Sequence, residues 1–78
     1  MNSPVTAVRE GISGRIVHFT DDRIAGKLMT MGVLPGSKVQ VVRIAPFNGG
    51  FYLKVDGINM VMRVQEAGSI IMTVDGGS

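Results

Sequence analysis

Residues 31–42, "MGVLPGSKVQVV", hold a helix end, a forced reversal and the start of a strand. Gly32 follows the last residue of a helical period and suits the left-handed position past a helix end, with Leu28 and Val33 placed for the hydrophobic contact of a Schellman ending. In Leu34-Pro35-Gly36-Ser37, proline presets φ at the second position and glycine accepts a positive φ at the third, which predicts a type II turn. Lys38 to Ile44 is then a strand by its β-branched content, with Val39 and Val41 on one face and Gln40 and Val42 on the other. A chain that turns back this sharply lays a strand under a helix.

Upstream, Thr20 is the expected N-cap, and Asp21 and Asp22 fall where the helix dipole favours negative charge. At about 100° per residue, Ile24, Leu28 and Met31 share a narrow face flanked by Ala25, which must cover a sheet. Before the helix, Ile12, Gly14, Ile16 and His18 alternate with Ser13, Arg15, Val17 and Phe19, as in a first strand, and Gly11 and Gly14 permit bends.

Downstream, Ala45-Pro46-Phe47-Asn48-Gly49-Gly50 is a loop, because proline and paired glycines do not continue a central strand. Phe51 to Val55 and Ile58 to Arg63 flank Asp56-Gly57, a strong hairpin signal. A two-residue turn there pairs Val55 with Ile58, Leu53 with Met60 and Phe51 with Met62 on the core side, and puts Tyr52, Lys54, Asn59, Val61 and Arg63 on the outer side. Gln65 to Gly68 is a short turn before a final strand, Ser69 to Val74. Five short strands with one helix after the first predict a mostly β fold, closing most easily as a small SH3-like barrel.

The 78 residues make one domain, and a core of this size buries only about 60% of the surface its unfolded chain exposes. Residues 1–9 are expected as a lead-in, with Val5 and Val8 docking at the core edge, 10–74 as the domain and 75–78 as a solvated tail. Cysteine is absent, so packing and turns must hold the fold. Charges or glycines interrupt every apolar run well short of about 18 residues, so no membrane span is expected. No secretory signal is expected either. The net charge of +2 is spread along the sequence, unlike the concentrated stripe of a dedicated nucleic-acid binder.

The order of these pieces resembles the FeoA domain family. The resemblance rests on Met31-Gly32-Val33, Pro35-Gly36, the valine-rich strand, Arg43 and Ala45-Pro46, then Met62-Arg63 and Glu66-Ala67, and runs from Glu10 to Val74. It implies an SH3-like β-barrel, either a small free-standing cytoplasmic protein of prokaryotic ferrous-iron uptake or the last domain of an iron-dependent repressor. The free form implies an accessory role toward the membrane transporter FeoB, which carries a cytoplasmic G-protein domain. The family offers no catalytic residues to carry over. The N-terminal segment, less leucine-rich than usual, and the Gly49-Gly50 pair depart from the common pattern.

For chemistry, the residues offer little. His18, with Asp21 and Asp22 near it, is a thin ligand set for a transition metal, and capping and solvation account for all three. No cofactor is expected. A lone histidine without cysteine argues against nucleophilic catalysis, and no phosphate-binding loop motif is present, so an enzyme is not expected.

Docking is better supported. Gly26 and Met29 lie three apart on the helix outside the core stripe, and glycine there costs about 1 kcal/mol against alanine. Leu34, Pro35 and Phe47 add apolar groups that alternation does not place inside. Phe47 is expected to fold back over a barrel end, and otherwise to stand as an exposed anchor. Gly26, Met29, Leu34, Pro35 and Phe47 are therefore the expected partner-binding residues. The expected function is a cytoplasmic, non-enzymatic adaptor that regulates a FeoB-type transporter, without nucleic acid or membrane insertion, and with homo-oligomerisation left open. The alternative is a free-standing repressor-type domain responding to metal or nucleic acid.

Overall fold

The structure, a computed structural model, describes residues 2–47 and 49–74. Its elements run β1 (Asn2–Pro4), a 3₁₀ turn (Val5–Ala7), β2 (Ser13–Phe19), α1 (Asp22–Thr30), β3 (Lys38–Ile44), β4 (Phe51–Val55), β5 (Ile58–Met62), α2 (Val64–Gly68) and β6 (Ile70–Val74). The fold is mostly β, as the alternation and turn chemistry predict. The sheet has six antiparallel strands in the order β1-β6-β2-β3-β4-β5, one more than the five expected. The extra strand is β1, which pairs Asn2, Ser3 and Pro4 with Thr73, Met72 and Ile71. A three-residue edge strand is too short to show alternation, so its pairing could not be read from pattern. Val5 and Val8 are buried behind it. Residues 75–78, expected as a solvated tail, lie outside the described residues.

The junction at 31–42 forms as its residues dictate. Val33 N–H donates to the Leu28 carbonyl at 3.0 Å and Gly32 N–H to Met29 at 3.0 Å, the two bonds of a Schellman ending. Gly32 has φ +91 and Gly36 φ +91, and Ser37 N–H closes the turn on Leu34 at 2.9 Å. Leu28 and Val33 are both fully buried.

Two details of the helix differ from expectation. Asp21, not Thr20, is the N-cap: its carboxylate accepts from Arg23 N–H at 2.9 Å and Ile24 N–H at 3.0 Å. Thr20 instead donates its own N–H to Ser69 at 2.9 Å, which ties the chain to the start of β6 and moves the helix start on by one residue. Met31 is 43% exposed because it is the C-cap, past the last helical turn; Val33, swung inward by Gly32, takes the core position.

The hairpin has the expected register, Val55 opposite Ile58, Leu53 opposite Met60 and Phe51 opposite Met62. Leu53, Val55 and Met62 are buried to about the last per cent, while Ile58 is 61% exposed. β5 ends the sheet, so Ile58 has a strand on one side only, and the core closes without it. Gly14 also has a different role from a bend: a Cβ there would lie 1.6 Å from the Thr73 carbonyl oxygen, so glycine is what lets β6 approach β2. The core is completed by Ile16, Val39, Val41, Ala67, Ile70 and Met72.

Candidate docking surface

Phe47 is the residue at which local geometry departs furthest from ordinary folding. β3 bulges between Val41 and Arg43, and its connection to β4 is closed by Ala45 N–H on Gly50 at 3.0 Å. Inside that closure Gly49 N–H bonds the Pro46 carbonyl at 3.1 Å, making a four-residue turn with Phe47 in the second position. Phe47 has φ 58, a left-handed value that costs a bulky residue about 1–3 kcal/mol. Its surface is 99% exposed. The expected fold-back over a barrel end does not form: the side chain takes the alternative position, in solvent.

The other expected contact residues also face water. Met29 is 43% and Leu34 46% exposed, and Gly26 and Pro35 are exposed as well. A Cβ at Gly26 would meet nothing within 4 Å, so neither packing nor backbone geometry requires glycine there. Leu34 is held by its turn, with its N–H on Ser37 Oγ at 3.3 Å.

Lys27 relates this helix to the Phe47 loop. Its Nζ pairs with Glu66 Oε2 at 2.5 Å, joining α1 to α2. A shallow cavity between them is lined by Lys27, Gly49, Gly50, Val61, Arg63 and Glu66, so the Phe47 loop borders the Lys27 flank of the helix. Met29 stands about 160° round the helix from Lys27, on the other flank. Two separate exposed apolar features result, Phe47 on its loop and the Met29–Leu34 helix end.

The electrostatics of the region are local. The Lys27 ammonium, then the Arg63 backbone N–H at 2.9 Å, hold the Glu66 carboxyl below its ordinary value. At the hairpin, the Lys38 backbone N–H and then the Ser37 hydroxyl lower Asp56. His18, Asp21 and Asp22 are all exposed, and Asp21 spends its carboxylate on the helix cap. Among the described residues, no group of three His, Cys, Asp or Glu side chains is close enough to hold a metal ion.

Sequence reasoning did not assemble one further feature. Val42, Tyr52 and Val61 are 47%, 41% and 57% exposed and line one depression with Asn59 and Met60 on the outer sheet face. Hairpin register placed Tyr52 and Val61 outside together, but the bulge that sets β3 against β4 carries no sequence mark, so Val42 could not be added to them.

A model of the FeoA domain matches residues 4–74. The chain belongs to the FeoA domain family. The family is linked to ferrous-iron transport. A crystal structure of an iron uptake regulatory protein (FeoA) is 25% identical with a TM-score of 0.82, covering 96% of this chain and 99% of that one. The Stenotrophomonas maltophilia FeoA complexed with zinc, described as a prokaryotic SH3 domain protein, is 23% identical with a TM-score of 0.71 over 100% of this chain and 93% of its own. A manganese-dependent transcriptional repressor shares the fold at 17% identity and a TM-score of 0.85, with 95% of this chain matching 42% of the repressor. No curated protein sequence matches the chain. The SH3-like architecture expected from the strand pattern is thus the family's own, and no helix of the described residues is long and apolar enough to cross a membrane.

Proposed function

We propose that this FeoA domain is a non-enzymatic accessory protein that binds a FeoB-type ferrous-iron transporter from the cytoplasmic side of a prokaryotic membrane, contacting its G-protein region. Phe47 carries the proposal. Folding gains about 1.5–3 kcal/mol by burying a phenylalanine, yet this one stands in solvent on a left-handed backbone. A partner that covers the ring recovers that free energy at the interface, where aromatic anchors dominate binding. Met29 and Leu34, with Gly26 and Pro35 beside them, form a second contact at the helix end. The role requires no cofactor.

Ferrous-iron uptake by cells that lack the chain but retain the transporter tests this. The wild-type chain restores uptake, whereas Phe47→Ala, present at the same cellular level, restores little. Full restoration by Phe47→Ala would remove the proposal, and full restoration by Met29→Asp would remove the second contact.

A further inference from the structure

β5 ends the sheet, and its outer edge carries main-chain groups that no strand among the described residues takes up. In a two-residue hairpin the residues flanking the turn form a hydrogen-bonded pair, and bonded and non-bonded pairs alternate from there. Ile58, Met60 and Met62 therefore spend their N–H and C=O groups on Val55, Leu53 and Phe51. Asn59 and Val61, opposite Lys54 and Tyr52, turn theirs outward. Outside the sheet ladder, none of the described backbone hydrogen bonds reaches either residue. Edge strands are ordinarily protected by a charge, a proline or a bulge, and Ile58 to Met62 has none of these.

Beside that edge lies the exposed row Val61, Tyr52 and Val42. Cations bracket it: Lys54, two residues from Tyr52 and so on the same face, and Arg63, two beyond Val61. β3, β4 and β5 contain no aspartate or glutamate, and Glu66, the carboxylate near Arg63, is engaged by Lys27 Nζ and the Arg63 backbone N–H. Asp56, in the turn between β4 and β5, accepts the Lys38 N–H on its Oδ1 at 3.0 Å.

We propose that β5 accepts an extended segment of a partner protein as a further strand of the sheet. The segment bonds the outward groups of Asn59 and Val61, lays an apolar side chain beside Val61, and carries a carboxylate two residues to either side, toward Arg63 and Lys54. Strand addition of this kind takes affinity from main-chain bonds and specificity from alternate side chains. An acidic segment fits better than a second copy of the chain, whose own β5 carries no carboxylate to set beside Lys54 and Arg63. A sugar–phosphate backbone offers no matching alternation of N–H and C=O. The proposal uses neither Phe47 nor the transporter contact, so each stands or falls without the other.

An amide NMR titration of the full chain with two synthetic seven-residue peptides, Thr-Glu-Thr-Val-Thr-Glu-Thr and the same with lysine for glutamate, tests it. The acidic peptide gives its largest shifts and slowed exchange at Asn59 and Val61, and binds about tenfold more tightly than the basic one. Lys54→Glu abolishes or reverses that preference, and Val61→Pro, which removes an N–H no ladder bond uses, abolishes binding while the spectrum stays folded. Equal binding of the two peptides, largest shifts in the Phe47 loop, tighter binding of oligothymidine than of the acidic peptide, or concentration-dependent self-pairing at β5 would each overturn it.

Discussion

Gly14 and Phe47 are opposite cases of a residue at odds with its surroundings. Gly14 is needed because nothing larger fits: with the Thr73 carbonyl 1.6 Å from any Cβ, a methyl group must push β2 and β6 apart. Gly14→Ala should cost about 3 kcal/mol or more, above the usual range for overpacking because the obstacle is backbone; chemical denaturation measures it, and a loss below about 1 kcal/mol would show that the strands yield. Phe47 is the reverse, since fold stability does not use its ring. Its exposure runs against the fold-back that the sequence favours, because alternation does not extend into a proline–glycine loop and no periodic signal fixes a side chain there.

At the scale of elements, the stretches with strong local chemistry were the readable ones. The helix ending, the Pro35-Gly36 turn and the Asp56-Gly57 hairpin are set by backbone preferences of single residues, and Asp56 with φ 49 and Gly57 with φ 86 make the type I′ geometry such a hairpin favours. The cap was misplaced by one because Thr20, Asp21 and Asp22 are all competent, and a tertiary bond from Thr20 decides among them. Gly26 sits in the same helix with open space around it. Gly26→Ala should raise stability by about 0.5–1 kcal/mol, read from the denaturation midpoint; a decrease would show that the site has no room for the methyl group.

The tie between the two helices also gives a pH dependence. Glu66 is held below its ordinary value of 4.5, so the folded state binds its proton less readily than the unfolded state does. The stabilisation is present above that value and is lost as pH falls below it toward the lowered folded value. Asp56 acts in the same direction from its ordinary 3.8. Denaturation midpoints measured between neutral pH and pH 3 should fall more steeply for the wild-type chain than for Glu66→Gln, and parallel curves would deny Glu66 that part.

For the whole molecule, composition and alternation were enough for a small, mostly β barrel, while strand order was not. That β6 lies between β1 and β2, and that β5 is left at the edge, follows from long-range pairing that no local pattern encodes. The same limit applies to the surface: Val42, Tyr52 and Val61 come from three strands and meet only through the bulge in β3. On the proposed function, the Phe47 ring that this FeoA-family barrel holds out of its core is covered by a partner. Calorimetric titration of the purified chain against the cytoplasmic G-protein region of a FeoB-type transporter tests it most directly. Phe47→Ala should weaken binding by about 10- to 150-fold, the equivalent of a buried phenylalanine, with an unchanged melting temperature. Wild-type affinity in Phe47→Ala, or no binding by the wild-type chain, would contradict it.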